Sequence, residues 1–505
     1  MQKSPNILFI MADDHASKAI SCYGSGLNNT PNIDRIAEIG MRFNHCYVTN
    51  SICTPSRAAI LTGTHNHINK VTTLRTYLDN RLPNLAKELQ SNGYETSIIG
   101  KWHLGEGAKH EPTGFDYWLV LPGQGDYFDP SFIQCGEVIN KKGYVTDVIT
   151  ESAIEWLKKR DRDKPFFLMC NHKAPHRSWE PHPKKAKLHQ FDIKVPESFD
   201  DDYKNRAKSA AAAKMRIKED LTFYDLGLSP VKQDGTVSES DHFEKIPNPE
   251  NISNFRLADT ISGEIYKFTS KSELEHFKYQ RYIKRYLRTV ESLDESVKSL
   301  MDFVLSEGII NDTIIIYTSD QGFFLGEHGW FDKRFIYEQS FQMPFLVSYP
   351  KRIKAGTISN DLICNVDFAP TLLDLAGIST PKYMQGRSFK RILEGQRLSD
   401  WPQLVYHRYW MHRDATHNAY AHYGIRDHQF KLIYWYNEGY NLPGTGKGGQ
   451  KPEWEFFDLK LDPLELFNLI NNDKYAKKIL EMYHKLNALQ SEIQDMPAHE
   501  SPPVS

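Results

Sequence analysis

Residues 6–14 read NILFIMADD, six apolar side chains from Ile7 to Ala12 followed at once by Asp13 and Asp14. The run does not alternate between apolar and polar, so the strand it predicts is buried on both faces, as strands are in parallel sheets. The pattern returns along the chain: TSIIG (96–100) runs into KWH, FFLMC (166–170) into NHKAPH, and TIIIYTS (313–319) into Asp320-Gln321; QMPFLVSYP (342–350) adds another apolar strand. Helical segments separate them. TPNIDRIAEIGMRF starts with Thr30 at the expected N-cap and Pro31 at the first helical position. PNLAKELQSNGY (83–94) and ESAIEWLKKRDRDK (151–164) follow, and a long helix from about Tyr282 to Leu305 places apolar residues at 286, 290, 293, 297, 300 and 304.

Strands alternating with helices predict an α/β domain with a large, mostly parallel sheet flanked by helices. Such sheets bind ligands at the carboxyl ends of their strands, so the loops at 13–15, 101–103, 172–176 and 320–322 are expected to converge on one site. Residues 200–275 lack this rhythm and read as a polar insertion: KNRAKSAAAAKMRIKED (204–220) as an exposed helix, and residues 229–251 as a surface excursion. After about Gly377 the pattern changes to short β runs, QLVYHRYW, YAHYGIRD, FKLIYWY and EWEFFDL, closed by the amphipathic KYAKKILEMYHKLNALQSEI. The expected division is a catalytic domain over 1–376 and a smaller C-terminal α+β subdomain over 377–505, built on an antiparallel sheet.

A formal charge of −2 gives no reason to expect nucleic acid as a partner. No stretch approaches the 18 or so apolar residues of a membrane span. The six cysteines, at 22, 46, 53, 135, 170 and 364, are too scattered for a disulfide framework. NILFIMADD begins too close to Met1 to leave room for a signal peptide. The expected location is therefore periplasmic or secreted if a leader has been removed, and cytoplasmic if Met1 is the native start.

Two adjacent carboxylates at the end of a buried strand repel each other and lose hydration, which calls for a compensating cation. Asp13 and Asp14 taken alone would pass for a turn pair. Asp320 and Gln321 end another strand in the same manner, however, and together they make an all-oxygen set suited to Ca²⁺ better than to Zn²⁺. Cys53, in SICTPSRAAILTG (51–63), has no second cysteine near it to share a zinc ion. An inert buried thiol and a nucleophile paired with His103, His172 or His176 both remain open from the residues alone.

Cys53-Thr54-Pro55-Ser56-Arg57 followed by Leu61-Thr62-Gly63 resembles the signature of the type I, formylglycine-dependent sulfatases of the alkaline-phosphatase superfamily. MADDH (11–15), GKWHLG (100–105), HKAPH (172–176) and SDQGFFLGEHGWFDKR (319–334) stand in that family's order, and PTGFDYWLVLPGQGDYFDP (112–130) is similar to bacterial sulfatases of sulfated glycans, glycosaminoglycans among them. The resemblance covers essentially the whole chain. It implies a sulfatase that hydrolyses O-sulfate esters of a carbohydrate, through a formylglycine made from Cys53 by post-translational oxidation. It implies Ca²⁺, ahead of Mg²⁺, held by Asp13, Asp14, Asp320 and Gln321 with position 53 completing the shell. Many relatives carry Asn or His where Gln321 stands; Gln still offers a carbonyl oxygen.

By the same resemblance Arg57 steadies the formylglycine, and Lys101 and His103 lie near it, His103 accepting a proton as sulfate is eliminated. His176 and Lys333 bind sulfate on the leaving-group side, and either can protonate the departing alkoxide. His172 fits a structural partner better. HRYWMHRDATHNAYAHYGIRD (407–427) supplies His412, Arg413, His417 and His422 as candidates for sugar contacts in an exo-acting pocket. The implied partners are a sulfated glycan and a formylglycine-generating or anaerobic sulfatase-maturating enzyme. The competing readings are a phosphodiesterase or phosphonate hydrolase of the same superfamily, and a catalytically inactive glycan-binding homologue.

Overall fold

The structure, a computed structural model, describes residues 4–238, 249 and 252–503. Ten strands form its main sheet: β1 (Asn6–Ala12), β2 (Met41–Phe43), β3 (Glu95–Lys101), β4 (Tyr117–Leu121), β5 (Ser131–Gln134), β6 (Glu137–Asn140), β7 (Phe166–Asn171), β8 (Thr313–Ser319), β9 (Phe345–Ser348) and β10 (Thr357–Ser359). Their order is β10-β2-β9-β8-β1-β7-β3-β4-β5-β6. The central five, β8, β1, β7, β3 and β4, run parallel. β9, β5 and β6 pair antiparallel with their neighbours toward the edges. The sheet is thus mixed, with its parallel part at the core. β1 is buried along its whole length, which is why its sequence shows no alternation.

Helices cover both faces: α1 (Pro31–Glu38), α2 (Cys53–Thr62), α3 (Leu85–Ser91), α4 (Val145–Lys159), α5 (Lys271–Ser306) and α6 (Phe368–Leu375). α1 begins where the sequence places it, but Thr30 makes no side-chain cap. The Asp294 carboxylate, reaching over from α5, accepts instead from the backbone of Asn32 and Ile33 at 2.9 and 2.8 Å. A long-range contact has taken over a local capping role.

α5 is 36 residues long and starts eleven residues before Tyr282. Its true start is capped by Ser270, whose hydroxyl accepts from Glu273 N at 3.2 Å. The added turns bury Leu274 and Tyr279 against Phe223, Leu226, Leu228, Leu257 and Phe268, so part of the expected polar insertion has its own apolar core. Residues 239–248, 250 and 251 of the expected surface excursion lie outside the described residues.

The expected exposed helix over 204–220 is instead a mostly extended strap with one short helix, Lys208–Ala212. Ala207, Ala210, Ala213, Met215 and Ile217 are buried. Its backbone donates to Glu455 at 2.6 Å, to the His417 carbonyl at 2.7 Å and to the Gly329 carbonyl at 2.9 Å. The strap therefore joins the loops at the sheet's carboxyl edge to a second sheet.

That sheet has four antiparallel strands, β11 (Val405–Tyr409), β12 (His422–Arg426), β13 (Phe430–Trp435) and β14 (Glu453–Asp458), and is closed by helix α7 (Ala476–Ile493). The β runs read from the sequence fall on these strands. A buried charge cluster ties the sheet to residues 335–341: Lys431 Nζ lies 2.6 Å from Glu465 and 2.9 Å from Glu338, and Arg426 Nε lies 3.1 Å from Glu338. Among the described residues no helix is long and apolar enough to cross a membrane.

Candidate active site

Cys53 is the first residue of α2, and every residue of this helix is buried. Pro55 falls in the first turn, where a missing backbone N–H costs no helical bond, and Gly63 ends the helix at φ +65°. The signature is wired into its surroundings. Ser56 Oγ donates to the Asp320 carbonyl and accepts from Asn365 Nδ2 at 3.0 Å, while the Pro55 carbonyl accepts from Asn66 at 2.8 Å. The Cys53 side chain thereby points from a helix N-terminus, where partial positive charge gathers, toward the ends of β1 and β8. Burial pushes its thiol pKa up, and Lys101 and Lys333 oppose that shift.

Asp13, Asp14 and Asp320 meet there, with one oxygen of each within 4.8 Å of the others. The Cys53 sulfur is not part of that set. β1 and β8 are adjacent and in register, Ala12 opposite Ser319, so consecutive acids are delivered from neighbouring strand ends. Asp14 sits at φ +67° and is held by Tyr286, whose hydroxyl donates to its carbonyl at 2.7 Å. Gln321 Nε2 donates to Asp14 and, at 2.7 Å, to Asp320.

Burial drives the Asp14 pKa up to about 7 even against Lys333. Burial and the neighbouring Asp13 raise Asp320 to about 6 despite Arg57. Burial also pushes Asp13 upward, but Lys101, His176 and Arg57 together hold it well below the usual range. Among the described residues Asp13 Oδ1 and Gln321 Oε1 are buried without a hydrogen-bond partner, the former having only the Arg57 guanidinium at 3.5 Å. Two orphan oxygens beside crowded carboxylates are what a hard divalent cation would satisfy, so the residues present fit one.

Cations surround the acids. Arg57 donates to Asp320 Oδ2 through Nε at 3.0 Å and to the Lys101 carbonyl through Nη1 at 3.0 Å. Lys101 pairs with Asp13 and reaches Gln124 Oε1 at 2.5 Å; Lys333 pairs with Asp14. Burial works against the charge on Lys333, but Asp14 with Cys53, Asp332 and Asp13 together outweigh it and keep the ammonium protonated. His103, at φ +53°, lies 3.3 Å from Thr54 Oγ1 through Nδ1. His176 Nδ1 bonds the Arg177 carbonyl at 2.7 Å, and its Nε2 lies 3.7 Å from Asp14. Burial and the nearby Lys101 push both histidines well below their ordinary pKa.

β3 and β7 approach so closely at this edge that a Cβ at Gly100 would lie 1.9 Å from the Asn171 carbonyl oxygen, and the Asn171 side chain in turn donates to the Lys101 carbonyl at 3.1 Å. The glycine of GKWH is thus required by the packing that presents Lys101. His172 bonds Ser296 Oγ at 3.0 Å, away from the acids.

The structure therefore brings together Asp13, Asp14, Cys53, Arg57, Lys101, His103, His176, Asp320, Gln321 and Lys333. The four sugar-contact candidates are placed differently. His422 is fully buried, with its nitrogens on the Ile336 N–H and the Tyr420 carbonyl. His412 bonds Gln450 at 2.7 Å and the Ala421 N–H at 3.1 Å. His417 Nδ1 is on Asp414 at 2.8 Å, and its Nε2 is 2.7 Å from Arg177 and 3.3 Å from Asp332. Arg413 is the one left partly exposed, with Nε on Asn418 at 3.1 Å. Thr54, Ser56, Gln124, Asn171, Asn365 and Tyr286 escape the sequence reading. Thr54 and Ser56 lie inside the cysteine signature and Gln124 inside the 112–130 stretch, where a motif could have signalled them; the other three lie in none.

A family model described as Sulfatase matches residues 5–378, and one described as N-sulphoglucosamine sulphohydrolase, C-terminal, matches residues 326–492. The chain is 42% identical, over an alignment 508 positions long, to an N-acetylglucosamine-6-O-sulfatase of Bacteroides thetaiotaomicron, covering 98% of this chain and 87% of that protein. A solved structure described as a complex with its substrate D-glucosamine-2-N,6-O-disulfate matches with TM-score 0.87 and 40% identity, over 99% of this chain and 100% of that one. A phosphonate monoester hydrolase of Agrobacterium radiobacter shares the fold, with TM-score 0.67 and 19% identity over 97% and 96% of the two chains.

Proposed function

This chain belongs to the sulfatase family of the alkaline-phosphatase superfamily, and on that premise we propose that it removes the 6-O-sulfate of a glucosamine unit in a sulfated glycan. As a carbohydrate sulfatase it is a sulfuric ester hydrolase; the sugar and the position are our reading. The observation that carries them is the 42% identity, across 98% of the chain, to a 6-O-sulfatase of N-acetylglucosamine, together with a solved relative of 40% identity described with a 6-O-sulfated glucosamine as its substrate.

In this reading Asp13, Asp14, Asp320 and Gln321 would hold a Ca²⁺ ion, which would supply positive charge to the crowded carboxylates and Lewis-acid polarisation to the sulfate. Cys53, oxidised to an aldehyde and hydrated by one water, would supply one hydroxyl as the nucleophile that displaces the sugar oxygen from sulfur, and a second whose loss of a proton expels sulfate and restores the aldehyde. Arg57 fixes the Asp320 carboxylate and the Lys101 carbonyl, so that acid and ammonium keep their spacing through turnover. The ammonium groups of Lys101 and Lys333 bind sulfate oxygens in a site closed to water, where such contacts are strongest. Lys333, whose ammonium stays protonated, hands a proton to the departing sugar oxygen; His176, neutral by the same burial as His103, can do so only once bound sulfate has brought it a proton. His103, neutral because it is buried among cations, accepts the proton released as sulfate leaves. Arg413, the one sugar-contact candidate left partly exposed, is our choice to meet the sugar, which an exo-acting pocket would hold by one terminal unit.

The test is peptide mass across residues 51–57 combined with sulfate release from 6-sulfated, 3-sulfated and 2-sulfated monosaccharides and from a phosphate diester. Aldehyde at position 53 with Ca²⁺-dependent release from the 6-sulfate is the expected result. Preference for the phosphate diester would instead favour the phosphonate-hydrolase reading, and binding without turnover by aldehyde-bearing protein would favour an inactive glycan-binding homologue.

A further inference from the structure

The four-stranded sheet carries a cleft that the sulfate chemistry leaves unused. It is about 540 Å³ in volume and opens between the strap and the start of β14. Lys204, Lys208 and Lys451 line it, against one carboxylate, Glu453. Lys208 and Lys451 are exposed, and among the described residues their ammonium groups form no ion pair. Lys204 has only the exposed Asp202, at 2.5 Å, a kind of pair that adds little in water. Arg206 also lines the cleft, but its guanidinium is committed to Asp201 and to the Glu465 and Leu466 carbonyls. Glu453 is committed as well, since its Oε2 accepts from the Lys208 N–H at 2.9 Å. In a chain of formal charge −2, three ammonium groups at one recess are a local excess, and low-dielectric walls concentrate the field they make.

The walls are fixed to each other. Asn468 donates through its backbone to the Asn205 carbonyl at 3.1 Å and through its side chain to the Trp454 carbonyl at 3.1 Å. Trp454 lines the cleft with its ring 4.5 Å from that of Tyr434. A rigid aromatic beside cations and amides suits a sugar that bears anionic groups.

Contacts lead from this cleft to the sulfate site along both walls. Ser209, next to Lys208, accepts from the Tyr420 N–H at 3.3 Å, and the Arg413 guanidinium lies over the Tyr420 ring at 5.9 Å. The Asn418 side chain joins Arg413 Nε, at 3.1 Å, to the Ala212 carbonyl of the strap, at 2.9 Å. On the other wall Gln450, the residue before Lys451, holds His412 at 2.7 Å. Both routes end on the loop over 412–418, whose His417 lies 3.3 Å from Asp332, the neighbour of Lys333. From Lys208 to Lys214, which donates to the His417 carbonyl, the strap spans no more than about 21 Å.

We propose that this cleft is a second glycan-binding site, which takes a sulfated stretch of the polysaccharide some sugars away from the unit being desulfated. The inference rests on the carbohydrate-sulfatase activity and not on the choice of sugar or sulfate position. Lys204, Lys208 and Lys451 pair with anionic groups of the chain, while Trp454 and the Asn205 amide meet its rings and hydroxyls. A polymeric substrate is then held at two points, and the second raises the effective concentration of the chain end at the first.

The test uses the full chain with Cys53→Ala, which cannot carry the aldehyde and leaves the cleft intact. Calorimetry measures its binding to a heparin octasaccharide, to the same octasaccharide stripped of sulfate, to a DNA oligomer of matched charge and to glucosamine 6-sulfate. The sulfated octasaccharide is expected to bind most tightly. Adding Lys208→Glu and Lys451→Glu should weaken it about fivefold or more and flatten its dependence on salt, with binding of glucosamine 6-sulfate unchanged. Lys208→Arg with Lys451→Arg should keep the affinity. An octasaccharide affinity that survives the double charge reversal, an equal loss for the monosaccharide, or a desulfated or DNA chain bound as tightly as the sulfated one overturns the second site. Should the aldehyde-bearing enzyme release no 6-sulfate, the sugar position falls, and the binding comparison still decides the cleft.

Discussion

Three carboxylates within 4.8 Å of one another, all buried, are the least comfortable feature of the molecule at the scale of single residues. Their repulsion is offset by Arg57, Lys101 and Lys333, but among the described residues Asp13 Oδ1, 3.5 Å from Arg57 Nη2, and Gln321 Oε1 accept no hydrogen bond. A bound divalent cation should therefore stabilise the folded protein by mass action, by about 2.7 kcal/mol at a hundredfold excess over Kd. We expect chelation to lower Tm and added Ca²⁺ to restore it. Asp14→Asn should abolish the response to Ca²⁺, and because it strands the buried Lys333 ammonium it should not raise Tm in chelator. Calorimetry on the four combinations checks this without reference to activity. A Tm indifferent to Ca²⁺ in the wild type would remove the metal from the account.

Among the elements, what the sequence reveals depends on whether a signal is local. The central strands are legible because burial on both faces leaves unbroken apolar runs, and Asp13, Asp14, Asp320 and Gln321 are legible because they follow such runs directly. Gln124, Asn171 and Tyr286 are not, since each acts on a carbonyl or ammonium far away in the chain. The first eleven residues of α5 are hidden because their apolar partners lie in a segment that reads as polar. The strap over 204–217 is misread because buried alanines look like an exposed helix. That strap is pinned by Asp201, whose carboxylate pairs with Arg206 and lies 2.9 Å from His328 Nδ1.

Burial pushes the Asp201 pKa up, but His328, Arg206 and the Tyr203 N–H bring it down to about 2, from an ordinary 3.8. A carboxylate whose folded pKa is depressed adds stability that is complete above its unfolded pKa, and loses it as pH falls through the folded one. Asp201→Asn should accordingly lower Tm by a constant amount above about pH 5, with the gap to wild type closing between pH 4 and pH 2. A gap that stays constant down to pH 2 would show that the ion pair adds nothing.

For the whole molecule, the cluster of Glu338, Arg426, Lys431 and Glu465 decides how firmly the four-stranded sheet is held to the rest. Lys431 and Glu465 are both fully buried, and burial raises Glu465 to about 7 in spite of Lys431. Lys431→Met leaves Glu465 without its partner and should cost about 3–5 kcal/mol. Adding Glu465→Gln removes the stranded charge while keeping an acceptor for the Glu338 N–H, now 2.8 Å away, and should recover much of the loss. Denaturant unfolding of the two single variants and the double variant measures the coupling. Additive losses would mean that the pair is not coupled.

The registry of β1 with β8 has a consequence for the order of events in the cell. Asp320, which closes over α2 from the end of β8, lies 267 residues after Cys53 in the chain. At the usual pace of synthesis, about 5–20 residues per second, that separation is on the order of 13–50 s. For that interval the Cys-Thr-Pro-Ser-Arg segment has left the ribosome without the partner that later buries it. A thiol 1% exposed in the finished protein is then still accessible, and under the oxidation proposed above the lateness of one strand would set a timer on that step.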